Sequence, residues 1–329
     1  MSAAPADPRP APLHRLAILD DYQGVALGLG PFETLPAGLQ VTVFRDTLSD
    51  PDALVERLRP FDAILLMRER TPFPRRLIDR LPALRLLITT GARNRSIDVA
   101  ACAERGITCC GTPGHGDPTA ELTFGLILAL LRDLPGQQQA LRAGRWQTRV
   151  GLGLEGLTLG VIGVGKLGSR VARIGAAFGL RVLGWSPNLT AEAAAAAGAL
   201  RVDKQTLLRE SDIVTLHLVL SERSRHTLAA ADLARMKPSG FLINTSRGPL
   251  VDQEALLAAL HGGRLAGAAL DVYDEEPLLP GHPLLAAPNT LLTPHLGYVT
   301  EQNYRAYFAG AVAAVHAYLA GAPLRELKP

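Results

Sequence analysis

The feature that most restricts how this chain can fold is the run LGVIGVGKLGSRV at 159–171, where Gly163, Gly165 and Gly168 stand in the order G-x-G-x-x-G. Glycines at this spacing arise by chance in a chain that holds 32 of them, so the flanks decide what the run means. Before it, Leu157, Leu159, Val161 and Ile162 form the short apolar run of a buried parallel strand. After it, Val171, Ile174, Ala177 and Phe178 recur at helical spacing, and Gly179 is placed to end the helix. A second apolar run follows at 180–185. Strand, turn, helix and strand thus fall within about thirty residues, the length of a βαβ unit. Each glycine then has a separate duty. Gly163 permits the sharp turn, Gly165 lets backbone approach a pyrophosphate, and Gly168 lets helix pack on strand. The helix N-terminus offers unpaired N–H groups and a positive dipole end to phosphate. The run predicts a dinucleotide site.

That site begins in mid-chain, and the residues before it have their own α/β pattern. Apolar runs at 16–19, 41–44, 63–67 and 84–90 alternate with helical segments at 51–58 and 74–81, each with proline near its start. A helix at 99–105 and a strand at 107–110 continue the pattern, which predicts a parallel sheet. GTPGHGDP at 111–118 is hinge-like punctuation, and the helix expected at 119–132 is apolar on nearly every side, hence buried. The polar stretch 135–156, with Trp146, predicts an arm that contacts a partner subunit. Strands then recur at 180–185, 213–218, 241–244, 267–271 and 290–292, with the Ala-rich 191–199 as a surface helix and turn. The last helix, 301–319, has no strand after it. A first domain of 1–111 and 299–329, interrupted by a nucleotide domain of 112–298, follows from this order. The active site is expected in the cleft between the two.

Bulk properties narrow the class. At 329 residues the chain suffices for two domains with sizeable cores, and 47 % apolar with 20 % charged residues is ordinary for a soluble protein. A formal charge of +3 with no lysine-rich tract argues against nucleic acid as a partner, and the six arginines of 68–85 read as a solvated face. The longest greasy run, 126–131, is too short to span a bilayer. The N-terminal MSAAPADPRPAP has no apolar signal core and is expected to be a disordered lead-in. Cys102, Cys109 and Cys110 suit free thiols in a reducing compartment, and no metal-ligand spacing occurs. A cytoplasmic protein without a metal is the expectation.

Three strand ends carry residue types that belong together. NTSRG at 244–248 follows the strand FLIN, so Arg247 faces the crevice at the carboxyl end of the sheet. ALDVYDEEP at 269–277 ends on Glu276, and LTPHLG at 292–297 holds His295. Arg247 can grip a carboxylate with two parallel N–H bonds and polarise a neighbouring carbonyl. His295 can deliver or remove a hydroxyl proton near neutral pH. Glu276, bonded to the other ring nitrogen, would orient the ring and favour the imidazolium. Each alone is ordinary loop chemistry. Behind a dinucleotide motif, the three together point to hydride exchange with a 2-oxo or 2-hydroxy acid.

With GVIGVGKLG, DIVTLHLVL, NTSRGPLVD, LDVYDEEPL and TPHLG in this order, about 300 residues of the chain resemble the D-2-hydroxyacid dehydrogenases. The branch includes phosphoglycerate dehydrogenases and hydroxypyruvate and glyoxylate reductases. The resemblance implies two doubly wound α/β domains, a Rossmann domain inserted in a flavodoxin-like substrate domain, and NAD or NADP as cofactor. It implies Arg247, Glu276 and His295 as the catalytic set. It further implies cofactor contacts at Gly163, Gly165, Lys166, Leu167, Gly168, Thr119, His217, Ser224, Thr245, Ser246 and Gly297, with Asp271 on the carboxamide. The substrate loop is matched by Thr89-Thr90-Gly91-Ala92-Arg93-Asn94, whose backbone N–H groups could bind a carboxylate, with Thr90, Gly91 and Ala92 as the implied contacts, and Arg68 matches an arginine toward the substrate's distal end. Most members are homodimers, which implies the same here.

Two positions depart from the pattern. The acid expected about 20 residues past the glycines is replaced in GWSPN by Ser186, which removes a carboxylate that would repel a 2′-phosphate. No arginine follows at 187 or 188, so NADP is permitted and NAD is favoured. The interdomain turn carries His115, expected to be exposed. The rival reading is an NAD(H)-sensing, corepressor-like binding protein on the same fold, which would depend on partner grooves and extended tails. A formate dehydrogenase and a serine-regulated phosphoglycerate dehydrogenase are set aside on the additional segments those branches carry. Which acid is the substrate is left open.

Overall fold

A computed structural model describes residues 12–329, and most of the N-terminal stretch read as a lead-in lies outside the described residues. The chain divides into two compact units, one of residues up to Gly116 together with Thr300–Pro329, the other Asp117–Val299.

The first unit is built on five parallel strands, β1 (Arg15–Ile18), β2 (Gln40–Val43), β3 (Ala63–Leu66), β4 (Leu86–Thr89) and β5 (Thr108–Gly111). Their order is β2-β1-β3-β4-β5, that of flavodoxin-like sheets. Every residue of β3 and β4 is buried, as a sheet covered on both faces requires. Helix Pro51–Leu58 starts where the sequence places it, because Asp50 accepts from Ala53 N and Pro51 fills the first turn. The helix expected over 74–81 is shorter, Arg75–Ile78. Arg80 N and Leu81 N donate three residues back, to Leu77 O and Ile78 O, so the helix tightens into turns before Pro82. Helix Glu301–Leu319 packs on β4 and β5, and a Cβ on its Gly310 would lie 2.5 Å from Pro113 Cδ. The chain after that helix is not idle. Gly111 N donates to Arg325 O and Leu327 N to Cys109 O, covering the open edge of β5. The three cysteines are buried free thiols.

The second unit has seven parallel strands: β6 (Thr158–Ile162), β7 (Arg181–Trp185), β8 (Leu200–Arg201), β9 (Ile213–Leu216), β10 (Phe241–Asn244), β11 (Gly267–Leu270) and β12 (Thr290–Leu292). They lie in the order β12-β11-β10-β9-β6-β7-β8. Strand succession reverses beside β6, which makes the carboxyl ends of β6 and β9 the switch point where doubly wound sheets bind ligands. Helix Pro118–Leu131 buries Ala120, Phe124 and Ile127 against this sheet. Within the stretch read as an arm, residues Leu134–Arg142 form a helix and 145–153 are irregular. Helices Lys204–Glu210 and Gln253–His261, not anticipated above, each open on an aspartate cap: Asp203 accepts from Thr206 N and Asp252 from Ala255 N.

Candidate active site

The glycine turn separates into two kinds of position. Gly163 has φ +99°, and a Cβ there would lie 2.6 Å from the carbonyl carbon of His217. A Cβ on Gly168 would strike Gly163 O. Both glycines are therefore demanded by the chain's own packing. Gly165 is not: its φ is −93°, and a Cβ there would meet nothing within 4 Å. It precedes helix Lys166–Ala177, whose first N–H groups have no partner inside the helix. A glycine that the chain's own packing does not demand, at a helix start, fits a pyrophosphate cradle.

His217 gives a second mark. Its Nε2 pairs with Thr215 Oγ1 at 2.9 Å, while Nδ1 is buried without a hydrogen-bond partner among the described residues. Burial pushes its pKa down to about 3, so the ring is neutral at ordinary pH.

From the turn, hydrogen bonds and close contacts run through most of the expected cofactor residues. Val164 N donates to Ser186 Oγ (2.9 Å), and Gly163 packs on the His217–Leu218 backbone. Ser246 Oγ donates to Leu218 O (2.6 Å), and Thr245 pairs with Thr123 (2.9 Å). Thr119 Oγ1 donates to Gly297 O (2.8 Å), and Gly297 N to Asp271 Oδ2 (2.8 Å). Three residues stand apart from this arc. Ser224 turns its hydroxyl onto Val219 O and Ser221 within its own loop, and Leu167 is half-buried. Lys166 is 86 % exposed and pairs with Asp117 at 3.5 Å.

At the neighbouring strand ends, the acid and the histidine meet. His295 Nδ1 lies 2.6 Å from Glu276 Oε2, with the two side chains 20 % and 29 % exposed. The other carboxylate oxygen, Oε1, accepts from Tyr273 N at 3.0 Å, so Glu276 is held at both ends. Burial pushes the Glu276 carboxyl upward, but the bond to His295, its charge, Tyr273 N and the charge of Arg247 outweigh that. The group stays below the usual carboxylate range. Arg247 follows β10 in a turn that Asn244 braces, accepting from Ser246 N (3.1 Å) and donating to Arg247 O (2.8 Å).

His295 has φ +54°, an uncommon conformation for a side chain with a Cβ. Asp271 accounts for it. Fully buried, it accepts from Thr293 Oγ1 (2.6 Å), Leu296 N (2.7 Å) and Gly297 N (2.8 Å), and so draws the turn that bears His295 around itself. Tyr273 braces the same turn, donating to Thr293 O at 2.9 Å. Sequence reasoning placed Asp271 with the cofactor and missed these anchoring bonds, which join residues more than 20 positions apart with no periodicity to announce them.

In the first unit, Arg68 folds onto the expected substrate loop. Its N donates to Thr90 Oγ1 and its guanidinium to Thr90 O, both at 2.8 Å. Gly91, at φ +87°, has no room for a Cβ beside that guanidinium. Of the loop 89–94, whose N–H groups are expected to receive a carboxylate, two amides are engaged within the unit. Thr90 N donates to Leu66 O (2.9 Å) and Gly91 N to Thr112 Oγ1 (2.8 Å), because the loop must close onto its own sheet. Ala92, next in the loop, is exposed. His115 is an exposed turn residue whose N donates to Asn303 Oδ1 at 2.9 Å. Among the described residues, no helix is long and apolar enough to cross a membrane, and no group of three or more His, Cys, Asp or Glu is placed to hold a metal ion.

Comparison with known proteins agrees with this geometry. Residues 124–297 match the family profile described as D-isomer specific 2-hydroxyacid dehydrogenase, NAD binding domain. A glyoxylate reductase of Aeropyrum pernix is 38 % identical over 263 residues, covering 77 % of this chain and 78 % of that protein. A D-3-phosphoglycerate dehydrogenase of Methanocaldococcus jannaschii is 36 % identical over 80 % of this chain but 50 % of its own length. Among solved structures, a phosphoglycerate oxidoreductase of Vibrio cholerae matches with a TM-score of 0.89 and 41 % identity, covering 94 % of this chain and 100 % of the other. The chain belongs to the D-2-hydroxyacid dehydrogenases, a family of enzymes that work with a nicotinamide dinucleotide.

Proposed function

We propose that the protein interconverts a small 2-oxo acid and the corresponding D-2-hydroxy acid, with Arg247, Glu276 and His295 as its catalytic residues. The observation that carries the proposal is the 2.6 Å contact of Glu276 with His295 Nδ1, which leaves Nε2 for the proton that must move. Arg247 binds the acid's carboxylate through a planar fork and polarises the adjacent carbonyl. In reduction, His295 gives its Nε2 proton to the carbonyl oxygen as that oxygen becomes a hydroxyl. In oxidation, it removes the same proton. Glu276 carries the charge that stabilises the imidazolium and holds the ring's orientation. The dinucleotide, when bound, supplies or accepts the hydride.

For that cofactor, the cradle at Gly163, Gly165 and Gly168, with Lys166 and Leu167, would take the pyrophosphate. Ser186 would lie beside the ribose, and Thr119, His217, Ser224, Thr245, Ser246, Asp271 and Gly297 would line the remainder. Ser186 supports either NAD or NADP: its hydroxyl already accepts from Val164 N at 2.9 Å and brings no negative charge. On the resemblance, Arg68 and the loop of Thr90, Gly91 and Ala92 are substrate contacts. The arm supports a homodimer, since Trp146 is 76 % and Val150 96 % exposed and a second copy would cover them.

The test is loss of absorbance at 340 nm from NADH and, separately, NADPH, with 2-oxo acids from glyoxylate and hydroxypyruvate to phosphorylated and branched members. Turnover with at least one acid is expected. Cofactor binding without turnover of any acid would overturn the proposal.

A further inference from the structure

Because Nδ1 of His295 is taken by Glu276, the working atom is Nε2, and its aim depends on how the ring is held. A hydrogen bond at one corner of a planar ring fixes a distance and a direction. It leaves the ring able to tilt as χ1 and χ2 turn together, and the tilt carries Nε2 through an arc. The Asp271 bonds fix the backbone on either side, and they too leave the plane of the ring undetermined. A contact out of line with the Nδ1 bond is needed.

Tyr298 makes such a contact. Its ring centroid lies 5.4 Å from that of His295 with the planes at 72°, an edge-to-face arrangement. At 8 % exposure Tyr298 is itself confined. The two residues are brought together by the turn in which Val299 N donates to Leu296 O at 2.8 Å. We propose that Tyr298 is a positioning residue for the reaction: its ring sets the plane of the His295 imidazole and thereby the direction of Nε2. The inference rests on the reading of His295 as acid and base.

The experiment compares Tyr298→Phe, which keeps the ring, with Tyr298→Met, which keeps bulk without a planar face, using His295→Ala as the reference. kcat and KM are followed across pH, and the NADH dissociation constant by fluorescence. Tyr298→Phe is expected within about twofold of wild-type kcat. Tyr298→Met is expected to lose about tenfold in kcat, the worth of one edge-to-face pair, with an altered pH profile and an unchanged NADH constant. Wild-type kcat in Tyr298→Met, or an equal loss in Tyr298→Phe, would overturn the proposal. Retained turnover in His295→Ala would overturn it together with the reading beneath it. A measurement on the wild-type protein does not depend on how any variant folds. The ring-proton resonance of His295, assigned by its absence in His295→Ala, should be displaced from the free imidazole position by the Tyr298 ring, and an undisplaced resonance would contradict the contact.

Discussion

Asp20 and Asp271 occupy matching places in the two units. Each lies within two residues of the carboxyl end of a parallel strand, each is at most 1 % exposed, and burial pushes both above the usual carboxylate range. Their partners differ. Asp20 accepts from the hydroxyls of Thr47 and Thr71, which ties the ends of neighbouring strands together. Asp271 accepts from one hydroxyl and two successive backbone N–H groups, and the backbone it gathers carries His295. Burial and a raised pKa are thus common to a carboxylate that staples a fold and one that gathers the turn of the proposed acid–base histidine. What separates them is the segment at the far end of their hydrogen bonds.

The largest effect should come from the residues that the Asp271 turn and its neighbour present. His295→Ala and Arg247→Ala should each lower kcat/KM by about 10²–10⁴, with the NADH dissociation constant little changed. Retention of wild-type kcat/KM in His295→Ala would detach Asp271 from any chemical role, and retention in Arg247→Ala would remove Arg247 from the proposed set. Next come the two aspartates. Asp271→Asn turns an acceptor of three donors into a group with an NH₂ facing backbone N–H, leaving a buried donor unmet at about 1–3 kcal/mol. It should lower the urea midpoint and reduce kcat about tenfold or more. Asp20→Asn should keep kcat and stay within about 1 kcal/mol in stability, because the two threonine hydroxyls can rotate to donate or accept. Equal losses of kcat in the two variants would break the comparison.

The smallest effects are in pH dependence, and their signs differ. For Asp20 and Asp271, raised in the fold, the associated stability is present below the ordinary value of 3.8 and lost as pH rises through the raised one. Asp20→Asn should remove its share of that loss. Glu276 is lowered, so its contribution is present above 4.5 and lost as pH falls through the folded-state value. His217 acts on the same side. Between 6.5 and about 3 the unfolded chain takes up a proton that the fold refuses, so stability falls as pH falls. Urea unfolding at stepped pH should show a shallower acid limb in His217→Gln, by at most about 1.4 kcal/mol per pH unit.

Much of this architecture was legible because local physics writes it locally. The duties of Gly163 and Gly168, the helix start at Pro51 and the strand-end positions of Arg247, Glu276 and His295 all follow from spacing within a few residues. Three features were not. The helix after Pro74 stops at Ile78 because turns before Pro82 compete with it, although the apolar spacing alone permits another turn. The amides of Thr90 and Gly91 close onto their own unit, a pairing with Leu66 and Thr112 that only the folded sheet creates. The anchoring by Asp271 likewise depends on where β11 and β12 end relative to each other.

The most direct test of the carboxylate–histidine pair is the single-turnover rate of 2-oxo acid reduction across pH, for wild type and Glu276→Gln. Reduction consumes a proton held by His295, so the wild-type rate should fall as pH rises. Glu276→Gln keeps the shape and removes the charge facing Nδ1, and should slow the reaction about tenfold or more at every pH. A Glu276→Gln profile superimposable on wild type would contradict the role of Glu276 in the pair.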